Sequence, residues 1–262
     1  RLTMTINGVK DLADNATSGL ARDFYGAIKA PGDVDNVDTE GAQVDQDVFA
    51  TVRGIVTATE FQTQNITIGG VSTPDGIDVR NNAGPFAGVA RGDKIIVCGV
   101  IAQYRGMAQI QGTPVYYLVE ESGLAEPAPQ VVGITVITNE DEEGVNAFSG
   151  EPYEGNIVTI GPVNIGAYLA NSRTEPGTSP TPGLFVGNAN YIVTMGGRTG
   201  IIRVLADTNI VGRHIPTEAT LRGIVTQYDN ATPFSGAYSL YLRDWDDFTL
   251  PTSVQFSWNL YE

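Results

Sequence analysis

From residue 48 onward, hydrophobic and polar positions alternate in short runs broken by Gly, Pro and Asn. That is the signature of half-buried strands joined by tight turns. Residues 49–60 (FATVRGIVTATE) alternate, and residues 66–68 and 76–80 read as short strands. Residues 93–110 (DKIIVCGVIAQYRGMAQI) predict a long strand, a bend near Arg105 and Gly106, and a returning strand; residues 113–121 close the unit. A second run of the same kind occupies residues 156–165, 190–195, 201–206, 218–229 and 238–248, with a hairpin turn from Gly196 to Gly200. Before residue 48, Leu12, Ala13, Ala16, Leu20, Phe24 and Ile28 fall at helical spacing and predict one short helix between Val9 and Ile28, while residues 2–9 read as a strand.

The chain also repeats itself. ATVRGIVT at 50–57 nearly duplicates ATLRGIVT at 219–226. A weaker match is more informative: VCGVIAQY from Val97 aligns with LRGIVTQY from Leu221, setting Gly99, Gln103 and Tyr104 opposite Gly223, Gln227 and Tyr228. In both, a long strand with a central Gly ends in Gln-Tyr and a loop, and a strand then returns. A Gly inside such a strand is where a small barrel bends to close on itself. The expected fold is therefore all-β, with two small Greek-key barrels in tandem over 48–125 and 150–249. Around them lie an acidic N-terminal extension (1–47), an acidic linker (126–149) and a C-terminal strand tail (250–262).

Several segments carry a family likeness. They are VRGIVT at 52–57 and GDKIIVCGVIAQYRGMAQI at 92–110 in the first unit. In the second they are GEPYEGNIVTI at 150–160, NYIVT at 190–194, IVGRHIP at 210–216, LRGIVTQYD at 221–229 and YLRDWDDF at 241–248. At these residues the chain resembles the OB-like (oligonucleotide/oligosaccharide-binding-fold) domains of secreted bacterial proteins, of the kind accompanying extracellular nucleases and surface proteins. The resemblance covers 48–249. It implies the barrel fold and an accessory role, because such domains serve many activities.

Composition narrows the partners. Hydrophobic residues make up 42% and charged residues 17%, enough apolar content for a packed core. Fifteen Lys and Arg against thirty Asp and Glu leave a net charge of −15, which repels phosphate backbones and attracts Ca²⁺. The imbalance is uneven: residues 1–47 hold 4 basic and 9 acidic side chains, residues 126–149 none and 5, and residues 48–125 a near-neutral 5 and 6. Anion binding by a barrel thus stays open. No apolar run approaches the roughly 20 residues of a membrane-spanning helix. Cys98 is the single cysteine, which rules out an intramolecular disulfide. With a chain that starts at Arg1, these features lead to the expectation of an exported, extracellular protein.

Catalytic signatures are missing. His214 is the single histidine, so no two-His metal site can form within the chain, and there is no nucleophile elbow, P-loop or dinucleotide fingerprint. Cys98 shares a strand face with Ile96 and Val100 and is expected as an inert core thiol. Asp33, Asp35, Asp38 and Glu40, followed by Asp45 and Asp47, cluster the oxygen ligands that Ca²⁺ prefers. Glu140, Asp141 and Glu142 form a second such cluster, and Asp244, Asp246 and Asp247 a third. Their spacing is not that of an EF-hand, and a solvated acidic loop is the competing reading.

Ligand binding by an OB-like barrel needs stacking aromatics beside cations. Arg198, Arg203 and Arg243 with Tyr191 and Tyr241 are the candidates for nucleic acid, and Tyr116, Tyr117, Trp245 or Trp258 for glycan. Finally, Val254, Phe256, Trp258 and Leu260 line one face of a strand left over after the second barrel, and an amphipathic strand needs a sheet edge. The resulting expectation is a non-catalytic extracellular structural subunit. Its copies would join through terminal strands, with Ca²⁺ bridging acidic loops. The alternative is a ligand-binding accessory module for single-stranded nucleic acid or glycan.

Overall fold

A computed structural model of the chain describes residues 2–6, 9–10, 16–17, 20–61, 64–138, 149–173 and 175–251, with side chains from residue 26 onward. Among the described residues the N-terminal helix expected from spacing is not formed. That region contributes β1 (Leu2–Ile6), the two-residue ladder of β2 (Val9–Lys10) and β3 (Ala16–Thr17), and β4 (Leu20–Lys29). β4 pairs antiparallel with β1, and parallel with the first barrel strand at Phe24↔Phe49 and Ile28↔Thr51. Phe24 and Ile28 stand four residues apart, a spacing that suits a helix as well as a strand, and long-range pairing decides between them.

The first barrel comprises β5 (Phe49–Ala58), β6 (Asn65–Gly69), β7 (Gly76–Asn81), β8 (Lys94–Tyr104) and β9 (Met107–Glu121). β5–β6, β6–β7, β8–β9 and β5–β8 pair antiparallel, and β7–β9 pair parallel, which closes the sheet. After β10 (Gln130–Val132), the second barrel repeats that order with β11 (Ile157–Ala170), β12 (Ala189–Met195), β13 (Arg198–Val204), β14 (Glu218–Gln227) and β15 (Tyr238–Leu242). Its β13–β15 pair is again the parallel one and β11–β14 closes it, with β16 (Phe248–Thr249) added beside β14. The chain is thus all-β, with two tandem barrels of the expected kind.

β8 and β14 occupy the same fourth place in their barrels, so the weaker match, Gly-x-x-x-Gln-Tyr, is the structural equivalence. The near-identical octapeptides sit on β5 and β14, a first strand and a fourth. Gly99 and Gly223 mark the closing bend. A Cβ on Gly99 would stand 2.8 Å from the Gln111 carbonyl oxygen, and one on Gly223 would stand 2.5 Å from that of Tyr241. On β8 the inward positions are Ile95, Val97, Gly99 and Ile101. Cys98 therefore faces outward, half-buried, with Sγ 3.0 Å from Thr51 Oγ1, and is not the core thiol the sequence suggested. Its neighbours Ile96 and Val100 share that outer face, because strand side chains alternate with a period of two.

Each barrel is preceded by a strand lying parallel to its first member. β10 runs beside β11 at Val158–Ile160, as β4 runs beside β5. A short 3₁₀ turn follows each, Pro31–Asp33 and Ile134–Ile137. Ile134, Val136 and Ile137 sink into the second barrel's core, so residues 130–137, read in sequence as acidic linker, are built into that barrel. Burying each such aliphatic side chain stabilises the fold by about 1.5–3 kcal/mol.

Candidate ligand cleft between the barrels

The barrels meet over an apolar contact of Ala58 and Phe61 from the first with Ile157, Leu205, Ile224 and Tyr241 from the second. Backbone seals backbone at Gly76 and Gly155, where a Cβ on either residue would collide with the other strand. Asp229 N donates to Arg105 O (2.8 Å) and Phe234 N donates to Glu40 O (2.8 Å). Arg243 is fully buried at one end of this seam. It donates to Asp247 through Nε (3.0 Å) and Nη2 (2.7 Å), and across the seam to Thr57 O (2.5 Å) and Glu126 (2.9 Å). Burial alone would raise the Asp247 carboxyl, but the Arg243 and Arg222 guanidiniums outweigh it and hold the group below its ordinary value. Arg91 reaches Asp244 across the same seam.

At the other end, carboxyl groups from both barrels crowd together. Asp78 accepts from Asn65 Nδ2 (2.9 Å) and Gln109 Nε2 (2.6 Å), and burial pushes it up to about 7 against the pull of Arg80. Asp35 is also raised to about 7, by burial and then by Glu151 and Asp75. Glu154 of the second unit reaches over to accept from Ala108 N (2.7 Å). Burial first, then Asp35 and Glu151, raises Glu154 well above its ordinary value. Tyr238 donates its hydroxyl to Glu151 (2.5 Å). The segment bearing Glu151, Glu154 and Gly155 thereby covers the lower part of the first barrel's β7–β9 face.

The corresponding face of the second barrel stays open as a cleft of about 830 Å³. Its floor is a cross-strand row, Asn190 on β12, Arg203 on β13 and Tyr241 on β15. Arg203 Nη1 donates to Asn190 Oδ1 (3.0 Å), and Asn190 Nδ2 donates to Ser172 O (2.7 Å), so both amide faces are fixed. The guanidinium lies 5.9 Å from the Tyr241 ring. Asn171, Arg173 and Asn188 of the β11–β12 connection form one wall, and Tyr228 and Asn230 after β14 another. The first barrel supplies Phe61 and Tyr104.

The Gln-Tyr repeat explains how the wall is built. Gln103 and Gln227 turn inward and donate to carbonyls of the loops that follow, Gly106 O (2.5 Å) and Phe234 O (3.0 Å). Alternation then turns the next residue outward: Tyr104 is 55% exposed and Tyr228 42%. The two rings meet edge to face at 6.3 Å, with the Arg105 guanidinium 4.5 Å above Tyr228. The cleft therefore offers Tyr, Asn and Arg together, with Glu60 and Asp207 as its acids.

Of the residues singled out in sequence, Arg203 and Tyr241 stand in this cleft. Tyr191 is enclosed in the second core, out of reach of a ligand, and its hydroxyl accepts from Val186 N (2.6 Å). Arg243 belongs to the seam, and Arg198 to the exposed β12–β13 turn. Asn190, Asn188 and Tyr228 were not singled out for the site; the repeated Gln-Tyr was the one signal pointing to Tyr104 and Tyr228.

Among the acidic candidates, Asp33 accepts Ala30 N (3.0 Å), and Asp38 accepts Glu40 N (2.8 Å) and Ala42 N (3.0 Å) within their own turns. Asp35 joins the seam. Among the described residues no three Asp, Glu, Cys or His groups converge as a metal centre would require. Asp244 caps the turn Trp245–Asp247. His214 is exposed in the β13–β14 connection. Glu140, Asp141 and Glu142, and the tail residues Val254, Phe256, Trp258 and Leu260, lie outside the described residues. Comparison with family models, with curated proteins and with solved structures finds no match to this chain.

Proposed function

We propose that this chain is a non-catalytic, exported binding module that holds an oligosaccharide in the inter-barrel cleft. The observation that carries the reading is the cleft floor, where Tyr241 lies beside Arg203 and Asn190 with further asparagines on the walls. Aromatic faces take the apolar face of a sugar ring, and planar amide and guanidinium groups take its hydroxyls. The apolar and polar groups sit on strands and on loops pinned by Gln103 and Gln227, which favours a preformed site. Isothermal titration against a panel of soluble oligosaccharides tests it. Binding that is weakened severalfold in Tyr228→Ala, whose ring is 42% exposed, with a nearly unchanged melting temperature, supports the reading; failure to bind any sugar overturns it.

A second reading is favoured by one observation. Among the described residues β1 pairs only with β4, at the end of its sheet, and such an edge can accept a strand from another copy. Self-assembly through terminal strands, with Ca²⁺ between acidic loops, predicts filaments or sheets in negative-stain electron microscopy that disperse in chelator. Monodisperse particles with and without Ca²⁺ count against it.

A further inference from the structure

The two barrels carry the same Asn–Arg pair in different electrostatic settings. In the first, Arg80 Nη1 donates to Asn65 Oδ1 (3.0 Å), and Asn65 Nδ2 donates to Asp78 (2.9 Å). Asp78 stands two residues before Arg80 on the same outward face of β7, so the positive charge has a carboxyl built in beside it. In the second, Arg203 Nη1 donates to Asn190 Oδ1 at the same 3.0 Å, but Asn190 Nδ2 turns to the carbonyl of Ser172. The residue two before Arg203 is Ile201, which has no charge to offer. Among the described residues no carboxylate stands within ion-pair distance of Arg203; the nearby Arg222 and Arg243 both have Asp247.

Arg203 is half-buried and lines the cleft floor. A partly desolvated guanidinium keeps much of its hydrogen-bonding demand, and a planar anion satisfies it better than water or a neutral hydroxyl. Arg173 adds a second guanidinium, anchored through Nη2 to Tyr238 O (2.6 Å). Resting on the oligosaccharide reading above, we infer that the cleft selects acidic over neutral sugars, with Arg203 holding the anionic group of a uronic-acid or sulfated residue beside the Tyr241 ring. A single-stranded nucleic acid also presents anions, but Glu60 and Asp207 in the cleft and the net charge of −15 oppose a continuous phosphate backbone more than a sugar with spaced charges.

Titration of the full chain with an oligogalacturonate, a sulfated oligosaccharide, a neutral oligosaccharide of matched length and an oligothymidylate tests this. The expected result is at least about tenfold tighter binding of an acidic sugar than of the neutral one, a preference abolished in Arg203→Gln. The two acidic ligands identify which anion is preferred. In the unmodified chain, added salt should weaken the acidic sugar and leave the neutral one unchanged, which tests the idea even if the variant fails to fold. Equal binding of neutral and acidic sugars, insensitive to salt, overturns the selectivity and leaves the cleft reading standing. Tighter binding of oligothymidylate, or no sugar binding at all, overturns both.

Discussion

Raising the pH from 5 to 8 should loosen this protein, because the seam between the barrels holds carboxyl groups that keep their protons longer than they would in the unfolded chain. Asp78 shows the size of the effect. Its ordinary value of 3.8 is lifted to about 7 by burial, with Arg80, Asn65 and Gln109 pulling the other way. The folded state then binds a proton more tightly than the unfolded state. Stability from this group is complete below about 4 and declines as pH rises toward about 7, after which it levels off. Between pH 5 and 7 the slope starts near 1.4 kcal/mol per unit and halves as the pH reaches about 7, so Asp78 alone removes about 2 kcal/mol. That corresponds to a fall in melting temperature of roughly 4–8 °C for a chain of this size. Asp35 and Glu154 move in the same direction, though the charges face one another and their contributions do not add.

Thermal melts at constant ionic strength across pH 5–8 measure the slope, and Asp78→Asn isolates the cause. The amide keeps an acceptor for Asn65 or Gln109 and cannot ionise. The variant should lose most of the Asp78 share of the slope and should be more stable than the parent at pH 8. General repulsion in a chain of charge −15 also grows with pH, but it acts on both proteins alike. Parallel melting profiles for the two would refute the reasoning.

Other outcomes follow from the same geometry. Arg243→Met should destabilise by about 2 kcal/mol or more in urea titrations, since it leaves buried Asp247 with Arg222 as its one remaining cation and takes the Arg243 donor from the Thr57 carbonyl. Gly223→Ala should cost about 2 kcal/mol or more, because the new methyl has the Tyr241 carbonyl at 2.5 Å and backbone cannot yield cheaply; a neutral substitution would contradict the close approach. Tyr104→Ala should weaken sugar binding by severalfold while leaving the melting temperature within a degree or two, given that its ring is largely exposed. A binding constant that does not move would exclude Tyr104 from the site.

Much of the barrel architecture was legible because it depends on period-two alternation, and β8 shows why. Ile95, Val97 and Ile101 point inward around Gly99 as their spacing requires. The same alternation assigns Cys98 to the outer face with Ile96 and Val100. The N-terminal helix failed where the spacing of Phe24 and Ile28 was equally compatible with a strand, and a partner strand about 25 residues along the chain, at Phe49 and Thr51, decided. The buried ITVI at 134–137 was visible as an apolar run inside an acidic stretch, but its destination was not. The cleft was half legible. Arg203 and Tyr241 stand out as a cation and an aromatic, whereas Asn190 gains its role only through the register of β12 against β13, and Tyr104 only through the way the barrels lean together.

The strands β4 and β10 change what counts as one copy of the repeat. Each barrel arrives with its own leading strand, laid parallel along the half of the first barrel strand that the second strand leaves bare, and neither borrows that strand from its neighbour. The natural cutting point between the copies therefore falls between Glu121 and Gln130, not at the acidic stretch beyond. A fragment starting at residue 150 would discard Ile134, Val136 and Ile137 and open one side of the second barrel to water. A fragment starting just before Gln130 keeps those side chains, yet it still uncovers Ile157, Leu205 and Ile224 and takes Glu126 and the Thr57 carbonyl away from buried Arg243.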